Sequence, residues 1–388
     1  MPQTSRRTFY SAIASLICLF AASATPIPLY SRYQASIGLT RSEISLTAVF
    51  YFLGCILSLV VLAKLSNLWG RKKTSLLALV FGLLGLVLLL VLQQAGLLML
   101  ARFLQGLACG LGSAVLSIYI LESGQTVNPS LAKAMTGSAV VIGLAVGSLL
   151  SGGLVQLFPS LLSLAYWVIL VATVLCILGI AGAQDTSKTE SFSWKKLVPE
   201  IALPKASRVF FPAAACIFIG TWAIGGYFQA FSSTIASSIF HQNSPLLAGI
   251  ILSVFMAPNF IGARWSGQFQ SRQAKKYGLL AFAAFMTLMN LAFQLQSLLL
   301  FLLTAIGAGI SQGICYSAGI QDLLSGGTES ERTGLMAVVY LVSYGGAAVP
   351  NFLIGALATG LSFTGISLIY LVIVLVITGA MFAVLPKK

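Results

Sequence analysis

The chain has 388 residues, of which 58% are hydrophobic and 8% are charged, and its formal net charge is +14 at pH 7. Soluble domains carry about 25% charged residues, so this composition excludes a soluble globular protein. The basic residues are scattered over short loops without forming a basic face, which excludes a nucleic-acid-binding protein.

Apolar runs near 20 residues recur along the whole chain, and each is long enough to cross a bilayer core of about 30 Å. These runs are apolar on every face, as in 76–92, whereas the strands of a membrane β-barrel alternate apolar and polar residues. The sequence therefore predicts an all-α integral membrane protein with twelve transmembrane helices. We number the predicted spans 1 to 12: 9–31, 43–65, 74–92, 97–121, 132–156, 163–183, 208–235, 246–266, 277–295, 297–321, 333–358 and 363–385.

The most polar stretch of the chain, 184–207, lies between spans 6 and 7. It predicts a cytoplasmic linker between an N-terminal six-helix bundle, 1–183, and a C-terminal six-helix bundle, 208–388. If both termini are cytoplasmic, only Arg32 and Arg41 fall in outside loops and Arg102 falls inside a span, while every other Lys and Arg faces the cytoplasm. This asymmetry predicts a multi-pass protein of the cell inner membrane in that orientation.

The cysteines and the single histidine give no sign of a metal site, a disulfide or a cofactor. All six cysteines lie in apolar runs without CxxC spacing, as expected of small buried hydrophobic residues. His241 lies in a loop and suggests no catalytic pair. Since no cluster of catalytic residues is found at either interface, we expect a protein that is not an enzyme. We also expect it to act as a monomer in the lipid bilayer.

Two loops repeat. The loop 63–73 between spans 2 and 3 and the loop 267–276 between spans 8 and 9 align with an offset of 204 residues, which pairs Arg71 with Lys275 and Lys72 with Lys276. Two six-helix halves with matching basic loops suggest a duplicated protein with two pseudo-symmetric bundles.

Three local motifs resemble signatures of the major facilitator superfamily, in the same order along the chain. The loop after span 2 is similar to G-x-L-x-D-R-x-G-R-K, with Leu65, Gly70, Arg71 and Lys72 matching and Asn67 in place of the aspartate. In span 4, residues 102–110 are similar to R-x-x-Q-G-x-x-x-G. In span 5, residues 143–152 resemble G-x-x-x-G-P-x-x-G-G of exporters in the drug/proton antiporter branch, although the proline is Ser148 and one glycine is Ser151.

The resemblance implies the major facilitator fold and a charge cluster at the cytoplasmic face that acts as a gate. We expect Glu122 to be the main partner of Arg71, because Asn67 supplies a hydrogen-bond acceptor but no charge. The alternative is that the basic residues of this loop only anchor the topology. The predicted gating residues of the two loops and of span 4 are Asn67, Gly70, Arg71, Glu122, Arg272 and Lys275.

Arg102 lies about five residues into span 4. At the centre of a membrane-spanning helix, an unpaired guanidinium costs at least about 2.5–3.5 kcal/mol. It either reaches the outer interface or faces the interior and binds an anionic group or influences a nearby acid. In the family that the motifs resemble, polar and aromatic residues of certain spans line a central cavity. The predicted substrate-binding residues are Arg102, Gln105, Tyr30, Trp222, Tyr227, Asn259, Gln312, Tyr316 and Asn351.

Four glycines of span 5 are predicted to allow close helix packing: Gly143, Gly147, Gly152 and Gly153.

Proton coupling requires a carboxylate that changes its protonation state, yet none of the eight acids lies at the middle of a span. Glu43, at the outer start of span 2, and Asp322, at the end of span 10, are the coupling candidates.

The expected function is secondary active transport, as proton-coupled efflux of a small drug or metabolite by rocker-switch alternating access. The scarcity of acids and the presence of Arg102 favour a neutral or anionic substrate. The alternative is an uncoupled facilitator or an importer of a small metabolite.

Overall fold

The computed structural model describes residues 3–62, 65–186, 203–326, 331–357 and 360–385. Within these ranges the chain is helical without strands, and twelve helices are long and apolar enough to cross a membrane. The twelve predicted spans are confirmed. Their bounds are Arg6–Ile37, Arg41–Leu62, Arg71–Leu90, Ala95–Gly124, Pro129–Leu157, Leu164–Ala181, Phe211–Ile239, Pro245–Ser266, Ser271–Gln294, Leu298–Ser325, Gly334–Leu357 and Phe363–Val384.

Several spans start earlier than the apolar runs predict. Span 3 begins at Arg71 rather than at 74, and span 9 begins at Ser271 rather than at 277. In both cases a charged first turn continues the helix beyond the apolar run, because backbone hydrogen bonding does not depend on hydropathy. Hydropathy therefore locates the membrane-crossing part of a helix and misses its polar first turn.

Prolines break two of the spans. Span 1 consists of a helix Gln3–Ala24, a 3-10 turn Ile27–Leu29 and a helix Tyr30–Ile37. Span 8 consists of Pro245–Met256 and Asn259–Ser266, with Pro258 between them. A proline has no N–H to donate to the carbonyl four residues earlier, so each break leaves backbone acceptors free for other partners.

The chain divides into two compact units. Unit 1 contains Met1–Leu39 and Phe50–Pro199, and unit 2 contains Thr40–Val49 and Glu200–Lys388. Most of the predicted linker, residues 187–202, lies outside the described residues. A short helix Leu65–Trp69 precedes span 3, and a 3-10 turn Lys205–Val209 precedes span 7.

The two units repeat the same internal packing. In unit 1, span 1 packs against spans 4, 5 and 6, and span 3 packs against spans 4 and 6. In unit 2, span 7 packs against spans 10, 11 and 12, and span 9 packs against spans 10 and 12. Adding six to each span number of the first set gives the second set. The pseudo-symmetry that was inferred from two short loops therefore extends over both six-span bundles.

Spans 1 and 5 approach closely at two of the four predicted packing glycines. A Cβ on Gly143 would lie 2.5 Å from the carbonyl oxygen of Ile17, and a Cβ on Gly147 would meet the backbone of Ala21. Gly152 is buried. Gly153 does not fit the prediction, because a Cβ there would meet nothing within 4 Å.

Candidate functional site

Arg102 lies in the interior of unit 1. Its side chain is 0% exposed, so the alternative in which it reaches the outer interface does not hold. Its Nη1 donates hydrogen bonds to the carbonyl oxygen of Ser23 and, at 2.8 Å, to Oε1 of Gln105. The guanidinium carbon lies 4.5 Å from the centre of the Tyr51 ring, within the range of a cation–π interaction.

The break in span 1 supplies the acceptors of this network. Pro26 cannot donate to the carbonyl of Ala22, and the helix ends at Ala24. The carbonyl of Ala22 instead accepts Nε2 of Gln105 at 2.8 Å, next to the carbonyl of Ser23 that accepts Arg102. The spacing of Arg102 and Gln105, one turn apart on span 4, thus matches two neighbouring carbonyls on span 1.

One donor of this network remains available. Nε of Arg102 has no hydrogen-bond partner among the described residues. A buried donor without a partner is rare in folded proteins, and here it belongs to a permanent positive charge. The arrangement therefore provides a fixed guanidinium that can donate to an acceptor group of a bound molecule.

Unit 1 contains further buried hydroxyl groups on spans 1 and 6. Tyr30 is fully buried at the start of the second helix of span 1. Tyr33, one turn later, shares a hydrogen bond with the hydroxyl of Tyr166. The sequence analysis did not select Tyr33 or Tyr166, since neither stands in a recognisable motif.

In unit 2, two predicted residues lie in one aromatic cluster. The Trp222 ring centre lies 6.0 Å from that of Tyr316 and 4.8 Å from that of Tyr344. The hydroxyls of Tyr316 and Ser343 lie 3.2 Å apart and share a hydrogen bond. This cluster joins spans 7, 10 and 11. Tyr344 is not among the predicted substrate-binding residues.

Tyr227 belongs to a different group. Its hydroxyl donates to Oγ of Ser367 at 3.2 Å, and its ring packs against Phe231, Phe363 and Tyr370. The ring is fully buried between spans 7 and 12, so its contacts are those of a packed core.

The predicted amides of unit 2 are dispersed. Gln312 is buried in span 10, and Asn259 is half-buried at the start of the second helix of span 8. Asn351 is fully buried and donates from Nδ2 to the carbonyl of Ala347 at 2.8 Å. Its Oδ1 has no partner among the described residues, and its backbone carbonyl accepts Oγ of Ser45 at 2.6 Å.

At the start of span 3, Arg71 makes the expected ion pair with Glu122. Nη2 of Arg71 lies 3.2 Å from Oε1 of Glu122. Nη1 donates to Oγ of Ser66 at 2.8 Å and to Oδ1 of Asn67 at 2.9 Å. Gly70 has φ of +91°, a backbone conformation that glycine adopts at little cost.

Asp185 is a member of this cluster that the sequence analysis assigned to the linker. Its Oδ1 accepts the backbone N–H of Arg71 at 3.0 Å, and its Oδ2 accepts that of Lys72 at 3.4 Å. The next residue, Thr186, donates to Oε2 of Glu122. The only sign of this contact in the sequence is that span 3 begins with basic residues and has no acidic residue in its first turn.

Unit 2 has a matching pair at the equivalent place. Lys275 is 3% exposed and makes an ion pair with Asp322, which also accepts a hydrogen bond from Ser271. Arg272 is exposed. Asp322 was proposed as a coupling acid, and the structure shows that its charge compensates a buried lysine.

Glu43, the other proposed coupling acid, lies in a helix cap. Its Oε2 accepts the backbone N–H and the hydroxyl of Thr40 at 2.8 and 2.9 Å, and its own N–H donates to the Thr40 hydroxyl at 3.2 Å. This is a capping box, which stabilises the start of span 2.

Twelve helices that, in the described part of the chain, are long and apolar enough to cross a membrane define a multi-pass membrane protein. The chain belongs to the Major Facilitator Superfamily, whose profile matches residues 12–350. It is a membrane transporter of this family rather than an enzyme, and its substrate is a small molecule.

Known proteins that are similar to the chain include a bacterial relative and a solved transporter structure. An "Uncharacterized transporter" of Rickettsia felis (strain ATCC VR-1525 / URRWXCal2) is 30% identical over 104 residues, which is 26% of this chain and 26% of that protein. A crystal structure of a mutant of the nucleoside transporter NupG has a TM-score of 0.77 and 14% identity, over 98% of this chain and 100% of that chain. This second likeness shows the fold.

Proposed function

We propose that the protein exports a small neutral or anionic organic molecule across the cell inner membrane in exchange for protons, by rocker-switch alternating access, with both termini in the cytoplasm. The observation that carries the proposal is the buried guanidinium of Arg102, whose Nε has no partner among the described residues. A carboxylate, carbonyl or hydroxyl oxygen of the cargo would accept from this group.

The placement of the acids supports the choice of cargo. A cationic molecule needs a carboxylate at its site, and the described acids Glu43, Glu122, Asp185 and Asp322 are occupied with helix starts and basic residues. Nucleosides are neutral and polar, so they belong among the neutral compounds to be tested as cargo. The aromatic cluster of Trp222, Tyr316 and Tyr344 would contact apolar parts of such a molecule.

The proposed coupling residue is Glu43, followed by Asp322. Protonation of Asp322 would remove the only carboxylate that pairs with Lys275 among the described residues, so its protonation state and the local structure are linked. The proposed gates are the Arg71 cluster, with Asn67, Gly70 and Glu122, and the equivalent site formed by Lys275 and Arg272.

A second candidate function is uncoupled facilitation or import of a small metabolite. The specific observation in its favour is that Glu43 lies in a capping box and Asp322 in an ion pair. Both carboxylates are therefore engaged in local structural contacts instead of being left available for a coupling role.

The test begins with a thermal-shift screen of the purified protein against neutral and anionic metabolites, including uridine, since binding raises apparent stability. The best ligand is then followed in proteoliposomes with and without a pH gradient. Antiport predicts faster transport with the gradient, and equal rates would establish facilitation. Arg102→Lys keeps the charge but lacks the planar fork, so it should bind the ligand more weakly while remaining folded.

A further inference from the structure

The side chain of Lys276, in the second turn of span 9, lies against two aromatic rings at the surface of unit 2. Its Nζ is 5.4 Å from the centre of the Tyr277 ring and 5.8 Å from the centre of the Phe382 ring of span 12. These distances lie within about 6 Å, the range at which a ring face attracts a cation. Tyr277 is 59% exposed and Phe382 is 37% exposed, so the ammonium is held at an open surface.

Among the residues that the structure describes, no carboxylate pairs with Lys276, whereas the neighbouring Lys275 is buried and pairs with Asp322. The sequence has no Asp or Glu from 201 to 321. The two rings hold the ammonium in place without neutralising it, so the surface attracts an anion.

We propose that this surface, formed by Lys276, Tyr277 and Phe382, binds an anionic phospholipid through its headgroup phosphate. Spans 9 and 12 pack against each other, and Leu280 and Val384 are exposed near the same ends of these helices. Exposed rings and aliphatic side chains beside a cation suit a lipid, whose chains cover the apolar part while its phosphate meets Lys276. A soluble phosphate would leave the apolar surface uncovered.

The internal repeat provides a matched control. Lys72 of unit 1 occupies the position equivalent to Lys276 under the 204-residue offset. It makes no cation–π contact among the described residues, and the carboxylate of Asp185 lies at its backbone N–H. The two lysines therefore share position and charge and differ in their surroundings.

The experiment is native mass spectrometry of the full chain in detergent, titrated separately with phosphatidylglycerol and with zwitterionic phosphatidylethanolamine. The wild type should retain phosphatidylglycerol preferentially. Lys276→Gln should weaken its retention about fivefold, the effect expected of one lysine near an anionic surface. Phe382→Leu should weaken it as well, because the ring that positions the ammonium is lost, whereas Lys72→Gln should not.

Four results would overturn the proposal: equal retention of both lipids by the wild type, unchanged retention by Lys276→Gln, unchanged retention by Phe382→Leu, or an equal loss in Lys72→Gln. A parallel titration with soluble glycerol phosphate separates the two sources of phosphate. Displacement of bound phosphatidylglycerol by glycerol phosphate would assign the site to a free anion instead of a lipid. Melting curves of all variants without added lipid should match the wild type, since the substituted side chains lie at the surface.

Discussion

The carboxylate of Asp185 accepts the backbone N–H of Arg71 at 3.0 Å, across 114 positions of sequence. Arg71 begins span 3, so the acid that caps this helix comes from the end of span 6. A negative group at a helix N-terminus satisfies free N–H donors and interacts favourably with the helix dipole. The first residues after span 6 are thereby attached to the charge cluster of the loop after span 2.

The first prediction concerns this cap. Asp185→Ala removes both the acceptor and the charge, and the loss of a cap costs about 1 kcal/mol. We expect a lower melting temperature and faster proteolysis after span 6. Asp185→Asn keeps an acceptor and should show a smaller effect, while an Asp185→Ala variant as stable as the wild type would contradict the assignment.

The sequence reveals the parts of this cluster that lie in a motif and misses the part that depends on tertiary structure. The pairing of Arg71 with Glu122 could be expected because the motif resemblance implies a charge cluster at these positions. Asp185 lies in a polar stretch, and only the packing of span 6 against span 3 brings it to Arg71. The twelve spans were predictable for a simpler reason, since a bilayer requires long apolar runs whatever their packing.

The same limit applies to the interior of unit 1. Arg102 and Gln105 were identified from their motif, but their partners are backbone carbonyls, which carry no sequence signature. Pro26 was the available clue, because a proline in a span frees the carbonyl of Ala22 four residues earlier. The Tyr33–Tyr166 contact had no such clue, since nothing in the sequence specifies which faces of spans 1 and 6 meet.

The second prediction compares the two ion pairs. Asp322→Asn leaves the ammonium of Lys275, which is 3% exposed, without its carboxylate. Removing one partner of a buried pair costs about 3–5 kcal/mol. Glu122→Gln removes the partner of Arg71, but the pair is more accessible to solvent and Ser66 and Asn67 remain as acceptors. Melting curves should therefore show a much larger loss for Asp322→Asn.

A double variant provides the control for this comparison. Lys275→Met together with Asp322→Leu removes both charges, and it should recover most of the stability that Asp322→Asn loses. If the double variant is less stable than Asp322→Asn, the effect does not arise from an uncompensated lysine.

The third prediction tests the contact between spans 1 and 5. Gly147→Ala places a methyl group against the backbone of Ala21, which cannot move without displacing span 1. Overpacking of this kind costs about 1–3 kcal/mol. Gly153→Ala, on the same helix, adds the same methyl group in open space and should leave the melting temperature unchanged or slightly raised. Equal melting temperatures for the two variants would show that the helices do not meet at Gly147.

The fourth prediction concerns Pro26 and the polar network of Arg102. Pro26→Ala restores a backbone N–H that can donate to the carbonyl of Ala22, which now accepts Nε2 of Gln105 at 2.8 Å. Competition for this carbonyl should release Gln105 and, through it, loosen the hydrogen bond that Gln105 makes with Arg102. We expect weaker binding of the ligand found by the thermal-shift screen, although neither Arg102 nor Gln105 is changed.

Pro28→Ala is the matched control, because Pro28 frees the carbonyl of Ala24, which no residue of this network uses. It should retain ligand affinity, and Gln105→Leu in the Pro26→Ala background should add little to the loss, since the two changes disrupt the same hydrogen bond. Isothermal titration calorimetry on the wild type, the three single variants (Pro26→Ala, Pro28→Ala and Gln105→Leu) and the double variant measures these affinities directly. Additive losses in the double variant would mean that Pro26 acts by shaping span 1. They would exclude the explanation that Pro26 leaves the carbonyl of Ala22 free to accept Gln105.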